Sequence, residues 1–297
     1  MASWFLRTET SKGKLAGRSV LITGGGQGLG KEIARACLAE GAGVLICGRS
    51  AATLESAIEE LQPSPGQILA AEAADVSRPD DVERLFAAAA ARLPSLDGVV
   101  NNAAVLGPQG LMEDADWSHW RETIEVNFFG SVLVCRQAMR LFRKRSYGKI
   151  VNLSGGGATG PRPRYSAYGT AKAALVRLTE TLAEEAKGTG IDVNAVSPGP
   201  MNTRLLDAVL EAGPDAAGAK EYGQALKQKA AGGTSPEKAA ALCVFLLSRE
   251  SDGITGRLLS AVWDPWPKLA AHADELAGSD IYTLRRIVPS DRGLDWE

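Results

Sequence analysis

Histidine is scarce in this chain: His119 and His272 are the only two in 297 residues, and they lie too far apart in sequence to form a metal-ligand spacing. No Gly-x-Ser-x-Gly turn occurs, so metal-assisted hydrolysis and Ser-His-Asp catalysis both lack their parts. The four cysteines (Cys37, Cys47, Cys135 and Cys243) are scattered through apolar segments without a Cys-x-x-Cys pair. They read as core thiols of a reduced, cytoplasmic protein. No uninterrupted apolar run approaches the roughly 20 residues of a membrane span. Residues Met1 to Gly17 lack the apolar centre of a secretory leader, and none is expected. Thirty-three basic residues against 35 acidic ones give a net charge of −2 with no long basic run, which argues against a nucleic-acid partner.

What is present is ordinary globular composition, 45% apolar and 23% charged, with 33 glycines and 14 prolines well spread, which excludes collagen-like and disordered chains. The length alone allows two domains or one large α/β unit. Short β-branched runs alternate with helical patterns. Strands are predicted at 19–23, 44–47, 68–71, 98–101, 149–153, 191–196 and 258–262, and helices at about 31–40, 51–61 and 80–92. Ile124, Phe128, Val132, Cys135, Met139 and Phe142 recur at helical spacing, as do Ala167, Ala171, Leu175, Leu178 and Leu182, predicting two long helices. Ser235-Pro236 starts another, with a hydroxyl cap and proline at the first helical position. This rhythm implies a parallel sheet covered by helices on both faces. Without a linker or internal repeat, one domain is favoured.

Between the first strand and the first helix stands Thr23-Gly24-Gly25-Gly26-Gln27-Gly28-Leu29-Gly30. Glycines let backbone turn with positive φ and approach a ligand, and the helix N-terminus behind them offers free N–H groups to a pyrophosphate. A tight turn without a ligand is the plain alternative. Gly25 to Lys31 also spells the start of a P-loop, but Glu32 stands where a hydroxyl should hold magnesium, which argues against a nucleotide hydrolase. After the second strand the acidic residue that grips an adenosine ribose is missing, and Cys47-Gly48-Arg49-Ser50 stands there instead. A guanidinium in place of a carboxylate suits a 2′-phosphate, so NADP(H) is favoured and NAD(H) stays possible. The alternative leaves Arg49 as a solvated loop residue.

Tyr168 and Lys172 are four residues apart and share one helical face. A free phenol, with pKa near 10, is too weak an acid for proton transfer at neutral pH, and a cation within about 4–6 Å lowers that value by roughly 1–3 units. Alone, such a pair is commonplace on helix surfaces.

In company with the glycine turn, Asp75-Val76, Asn101-Asn102-Ala103-Ala104, Asn127 and Pro198-Gly199-Pro200-Met201-Asn202-Thr203, it makes the chain resemble the short-chain dehydrogenase/reductase family over roughly Leu15 to Val262. The resemblance implies a Rossmann-type doubly wound parallel sheet in three α/β/α layers, with residues 1–262 as one domain and 263–297 as a C-terminal extension on that domain or a neighbouring subunit. It implies that Tyr168 exchanges a proton with the substrate oxygen, that Lys172 holds the nicotinamide ribose, and that Asn127 anchors a relay water. Gly24, Gln27, Gly28, Leu29 and Gly30 would meet the pyrophosphate. Asp75 and Val76 would flank the adenine, Asn102, Ala103 and Ala104 the adenosine side, and Pro198, Gly199, Met201 and Thr203 the nicotinamide. A homodimer or homotetramer is implied by the same resemblance.

One position departs from the family pattern. The substrate-orienting serine stands thirteen residues before the tyrosine, which here is Gly155. Ser154, Thr159 or no residue fills the role, and Ser154 is the candidate carried forward. Residues 155–164 and 204–233 reach beyond the strand ends, where ligands sit in this fold, and the latter suits a helical lid. Arg162 and Arg164 read as solvated loop arginines, with an anionic substrate as the alternative. The tail carries Trp263, Trp266 and Trp296, with a helix predicted near 269–276 and an apolar segment at 281–287. These aromatics pack the tail down, line the active-site mouth or meet a neighbour.

The function implied is an NAD(P)(H)-dependent oxidoreductase interconverting a carbonyl and an alcohol of a small-molecule substrate. The alternatives are a cofactor-sensing binding protein and a dehydratase or epimerase of the same fold.

Overall fold

In the computed structural model, residues 13–296 are described, so most of the segment read for a leader lies outside them. Seven strands form one fully parallel sheet: β1 (Ser19–Thr23), β2 (Gly43–Gly48), β3 (Leu69–Ala73), β4 (Gly98–Asn101), β5 (Gly148–Leu153), β6 (Ile191–Ser197) and β7 (Leu258–Ser260), in the order β3-β2-β1-β4-β5-β6-β7. The chain winds outward from β1 to β3, then returns to β4 on the other side. The carboxyl ends of β1 and β4 therefore flank the crevice where the winding reverses, the place where a doubly wound sheet binds ligands.

Strand side chains alternate between two cores. Val20 and Ile22 join the core under α1 (Gly28–Ala39), α2 (Ala51–Leu61) and α9 (Pro236–Leu247), while Leu21 faces the core under α3 (Pro79–Arg92), α5 (Gly130–Arg145) and the C-terminal end of α6 (Ser166–Glu185). The fold is thus the expected three-layer Rossmann type. Helix starts follow their caps: Ser50 accepts from Thr53 N–H at 3.3 Å, and Ser235 accepts from Glu237 N–H at 3.2 Å with Pro236 at the first helical position. The first helix begins at Gly28 rather than at Lys31.

The first long helix is not continuous. It divides into α4 (Trp117–Ile124), a π-helical turn over Glu125–Phe129, and α5. A π turn inserts one extra residue and rotates everything beyond it by about one position. Beyond the turn Cys135, Met139 and Phe142 are buried as the stripe predicts, whereas Ile124, Phe128 and Val132 are only half-buried and Thr123, Val126, Asn127 and Val134 take the core positions around the turn.

The segment read as a lid folds into α7 (Arg204–Ala217), kinked at Gly213-Pro214, and α8 (Ala219–Ala231). Both pack over Leu106, Tyr165 and Tyr168 in an apolar cluster of their own. The tail folds back onto the sheet. Phe245 and Trp266 make an aromatic contact at 5.8 Å, and Leu269 and Leu276 enter the core beside α9. The predicted tail helix forms as a 3₁₀ turn over Trp266–His272 followed by α10 (Ala273–Ala277). Residues 281–284 lie along the outer edge of β7, where Leu258 N–H donates to Tyr282 O at 2.8 Å. Buried Arg257 donates to the carbonyls of Leu276, Ser279 and Ile281. An open sheet edge is a template for pairing with another chain, and this one is covered.

Candidate active site

The nucleotide end of the site is built by backbone. Gly24 and Gly28 have φ of +64° and +52°, and the turn delivers Gln27 as the cap of α1. Asn102 pins this turn to the end of β4: its Nδ2 donates to Thr23 O at 2.9 Å and Gly24 O at 3.1 Å, while its own N–H donates to Thr23 Oγ1 at 3.0 Å. A Cβ at Gly30 would stand 2.5 Å from that Asn102 amide, so only glycine lets α1 approach so closely.

A cleft of about 230 Å³ opens here, lined among others by Gly24, Gln27, Arg49, Asp75, Val76, Ala103 and Ala104. Gly28, Leu29, Gly30 and Asn102 do not line it. They shape the turn behind it. Asp75 accepts from Ser77 N–H and Oγ through one oxygen, which fixes its carboxylate at the cleft wall. Arg49 is 58% exposed with its guanidinium 3.7 Å from Glu122, a loose surface pair that another anion can displace. Arg204, at the start of the lid, also lines this cleft. Sequence reading missed it because only the folding-over of α7 brings it there.

The chemical end lies at the carboxyl ends of β5 and β6. A cleft of about 480 Å³ is lined by Ser154, Gly155, Tyr168, Pro198, Gly199, Met201 and Thr203, with Leu106, Leu206, Val209, Glu221, Gln224, Gln228 and Trp263 as its outer walls. Tyr168 is buried, and burial raises its pKa while Arg162 lowers it. Lys172, one turn further along α6, donates to Leu153 O at 2.7 Å, with Nζ 5.6 Å from the Tyr168 ring centroid. Burial without a carboxylate partner depresses its pKa to about 8.

Asn127 is completely buried in the π turn, and its side chain grips Val105 on both sides: Oδ1 accepts from Val105 N–H and Nδ2 donates to Val105 O, both at 2.8 Å. Its backbone carbonyl accepts from Ser131 Oγ at 3.2 Å.

Ser154 is buried, lines the cleft, and its Oγ has no hydrogen-bond partner among the described residues. A buried hydroxyl without a partner is uncommon, and on a residue that lines a cleft it has a hydrogen bond still to give. Gly155 has a different role. A Cβ there would stand 2.6 Å from Tyr168 Oη, so the glycine makes room for the phenol in its present position.

Arg162 and Arg164 are not solvated. Arg162 is 21% exposed and pairs with Glu221 of α8, while Arg164 Nη1 donates to Asp215 O at 2.6 Å in α7. The lid helices fold onto the loop and claim both side chains. Trp263 stands 70% exposed at the mouth of the larger cleft, whereas Trp266 is packed inward.

The fold is a Rossmann-type doubly wound sheet with two clefts at the carboxyl ends of its strands. Residues 24–261 match the family model described as enoyl-(acyl carrier protein) reductase. The chain is 36% identical to 3beta-hydroxysteroid dehydrogenase 1 of Eggerthella lenta over 252 residues, covering 82% of this chain and 92% of that protein. It is 32% identical to 2-(S)-hydroxypropyl-CoM dehydrogenase 3 of Xanthobacter autotrophicus, covering 82% and 94% of the two chains. The structure superposes on levodione reductase with a TM-score of 0.77 at 27% identity, covering 86% of this chain and 99% of that one. It also superposes on an actinorhodin polyketide ketoreductase solved with NADPH, with a TM-score of 0.75 at 28% identity and 82% and 95% coverage. The chain belongs to the short-chain dehydrogenase/reductase family, a family of oxidoreductases that use NAD(P)(H).

Proposed function

We propose that the protein is an NADP(H)-preferring oxidoreductase that interconverts a carbonyl and an alcohol on a small-molecule substrate. The observation that carries this is the convergence, on one cleft, of Tyr168, the buried Lys172 behind it and the unpartnered Ser154 hydroxyl. The residues fit a dinucleotide. The smaller cleft offers a glycine turn with positive-φ backbone, a helix N-terminus, a carboxylate at Asp75 and a guanidinium at Arg49. When bound, such a cofactor supplies or accepts the hydride.

The chain's own residues do the rest. Ser154 orients the substrate oxygen by donating its hydroxyl proton. Tyr168 gives that oxygen a proton in reduction and takes one from it in oxidation. Lys172 holds the ribose edge and, where it is protonated, favours the phenolate. Asn127 anchors the water that passes protons onward. Gly24 and Gln27 meet the pyrophosphate on the turn that Gly28, Leu29 and Gly30 shape, Asp75, Val76, Ala103 and Ala104 border the adenosine side with Asn102 pinning the turn behind them, and Pro198, Gly199, Met201 and Thr203 border the nicotinamide. Arg49 reads the 2′-phosphate by exchanging Glu122 for it. The tail belongs to the same proposal: residues 1–262 carry the site and 263–297 form an extension whose Trp263 borders it. A homodimer or homotetramer fits the exposed aromatics Trp117 and Phe129 along α4 and the π turn. No described helix is long and apolar enough to cross a membrane. A cytoplasmic location is part of the same proposal.

The test is a panel of ketones and alcohols with NADPH or NADP⁺, followed at the nicotinamide absorbance. Substrate-dependent change that disappears in Tyr168→Phe supports the mechanism. Nucleotide binding without turnover on any member of the panel would instead favour a cofactor-sensing protein.

A further inference from the structure

Tyr168 has two cations at the same range. Lys172 Nζ lies 5.6 Å from its ring centroid, and the guanidinium carbon of Arg162 lies 5.7 Å from it. The family pattern accounts for the first and says nothing of the second. Arg162 is held on two sides. Its guanidinium lies 4.0 Å over the ring of Tyr165, one helical turn before Tyr168, and Tyr165 is itself fixed by a 3.1 Å bond from Oη to Gln109. Arg162 Nε donates to Glu221 Oε1 at 3.1 Å, and Nη2 makes a second, closer contact with the same oxygen. Glu221 stands in the first turn of α8, so this pair ties the loop before α6 to the lid. The Arg162 and Glu221 side chains are 21% and 32% exposed and line the substrate cleft, where charges act more strongly on one another than in open water.

Taking Tyr168 as the acid/base, we propose that Arg162 is a positioning residue for it, fixing the Tyr165–Tyr168 face and supplying positive potential at the phenol, and that Glu221 makes this hold depend on α8 being seated over the cleft. Lys172 cannot serve alone in alkaline solution. With its pKa depressed to about 8, it loses its charge before the phenol gives up its proton, whereas a guanidinium keeps its charge throughout. Other charged groups on elements around Tyr168 have their own places: Arg121 pairs with Glu125 on α4 and the π turn, Lys149 with Asp192 between β5 and β6, and Asp207 of α7 with Lys229 of α8, while Arg164 is held by the carbonyls of Asp215 and Ala216 and Arg204 lines the smaller cleft.

The experiment titrates tyrosinate absorbance in the nucleotide-free protein, taking the difference between each protein and its Tyr168→Phe derivative. The alkaline limb of kcat is recorded in parallel. Arg162→Ala is expected to move the Tyr168 titration to higher pH by about one unit, and the kcat limb with it, with nucleotide Kd unchanged. Arg162→Lys keeps the charge and returns the titration toward wild type. Glu221→Gln removes the opposing carboxylate and moves it to lower pH, which keeps the proposal open to test should Arg162→Ala fail to fold. A Tyr168 titration that stays in place in Arg162→Ala, or in Glu221→Gln where the alanine variant does not fold, overturns the proposal, as does failure of the lysine to restore it. If Tyr168→Phe itself retains turnover, it is the proposed function that fails.

Discussion

The two clefts of this molecule are built on different plans. The smaller one is made almost entirely at strand ends and in the glycine turn, and its shape is held by backbone and by Asn102. The larger one has a floor of the same kind, at Ser154, Gly155 and Pro198 to Thr203, but its walls are α7, α8 and Trp263, held by side chains that cross long stretches of sequence. The first plan suits a ligand common to many enzymes, because strand ends tolerate little change. The second suits a substrate peculiar to one of them, because surface helices and tails vary at small cost to the fold.

Substitutions that act on one cleft and spare the other test this division. Tyr168→Phe should lower kcat by roughly 10²–10⁴-fold while leaving the nucleotide Kd as it is; a change confined to Kd would place the tyrosine in the wrong cleft.

Lys172→Met should also abolish most turnover, yet raise stability. A lysine whose folded pKa is depressed to about 8 against an unfolded value of 10.5 costs stability in full below pH 8 and ceases to do so as pH rises to about 10.5. At roughly 1.4 kcal/mol per unit, the variant should gain about 3 kcal/mol at pH 7 by denaturant melts, and that gain should shrink across pH 8–10. A gain constant with pH would mean that packing, and not the buried charge, is responsible.

Ser154→Ala should reduce kcat by about 10–100-fold with little effect on nucleotide binding. Wild-type turnover would move substrate orientation to another residue. Arg49→Ala should weaken NADPH by about tenfold and NADH hardly at all, since only one carries the 2′-phosphate. Equal loss for both would reduce Arg49 to a surface partner of Glu122. Trp263→Ala should raise KM severalfold at nearly constant kcat, because the indole borders the cleft and has no part in proton transfer.

The same division explains what was legible in the sequence. Ser19–Thr23 and Gly98–Asn101 were readable residue for residue because a parallel strand buried on both faces is an apolar run and little else. The glycine turn was readable because positive φ restricts residue choice. The π turn was not. Ile124, Phe128 and Val132 keep a perfect helical spacing, and the insertion that breaks it is recorded only in the burial of Asn127 and its pairing with Val105. Arg162, Glu221 and Arg204 were illegible for another reason. Arg162 and Glu221 are partners tens of residues apart, the cleft that Arg204 lines is as distant in sequence, and no local pattern announces which loop a lid helix will land on. Gly155 looked like a missing serine, and in the fold it is the space in which the tyrosine hydroxyl stands.

The four cysteines, introduced as an absence of chemistry, have a practical consequence. Each is fully buried without a disulfide, one each in α1, β2, α5 and α9, and burial pushes the thiols of Cys37, Cys47 and Cys135 up to about 12 and that of Cys243 higher still. A thiol held protonated in a dry core does not meet an alkylating reagent. The protein therefore carries its own set of silent labels, distributed over all three layers. Each becomes reactive only when its layer opens, so pulsed alkylation read by mass would follow the order in which the layers come apart.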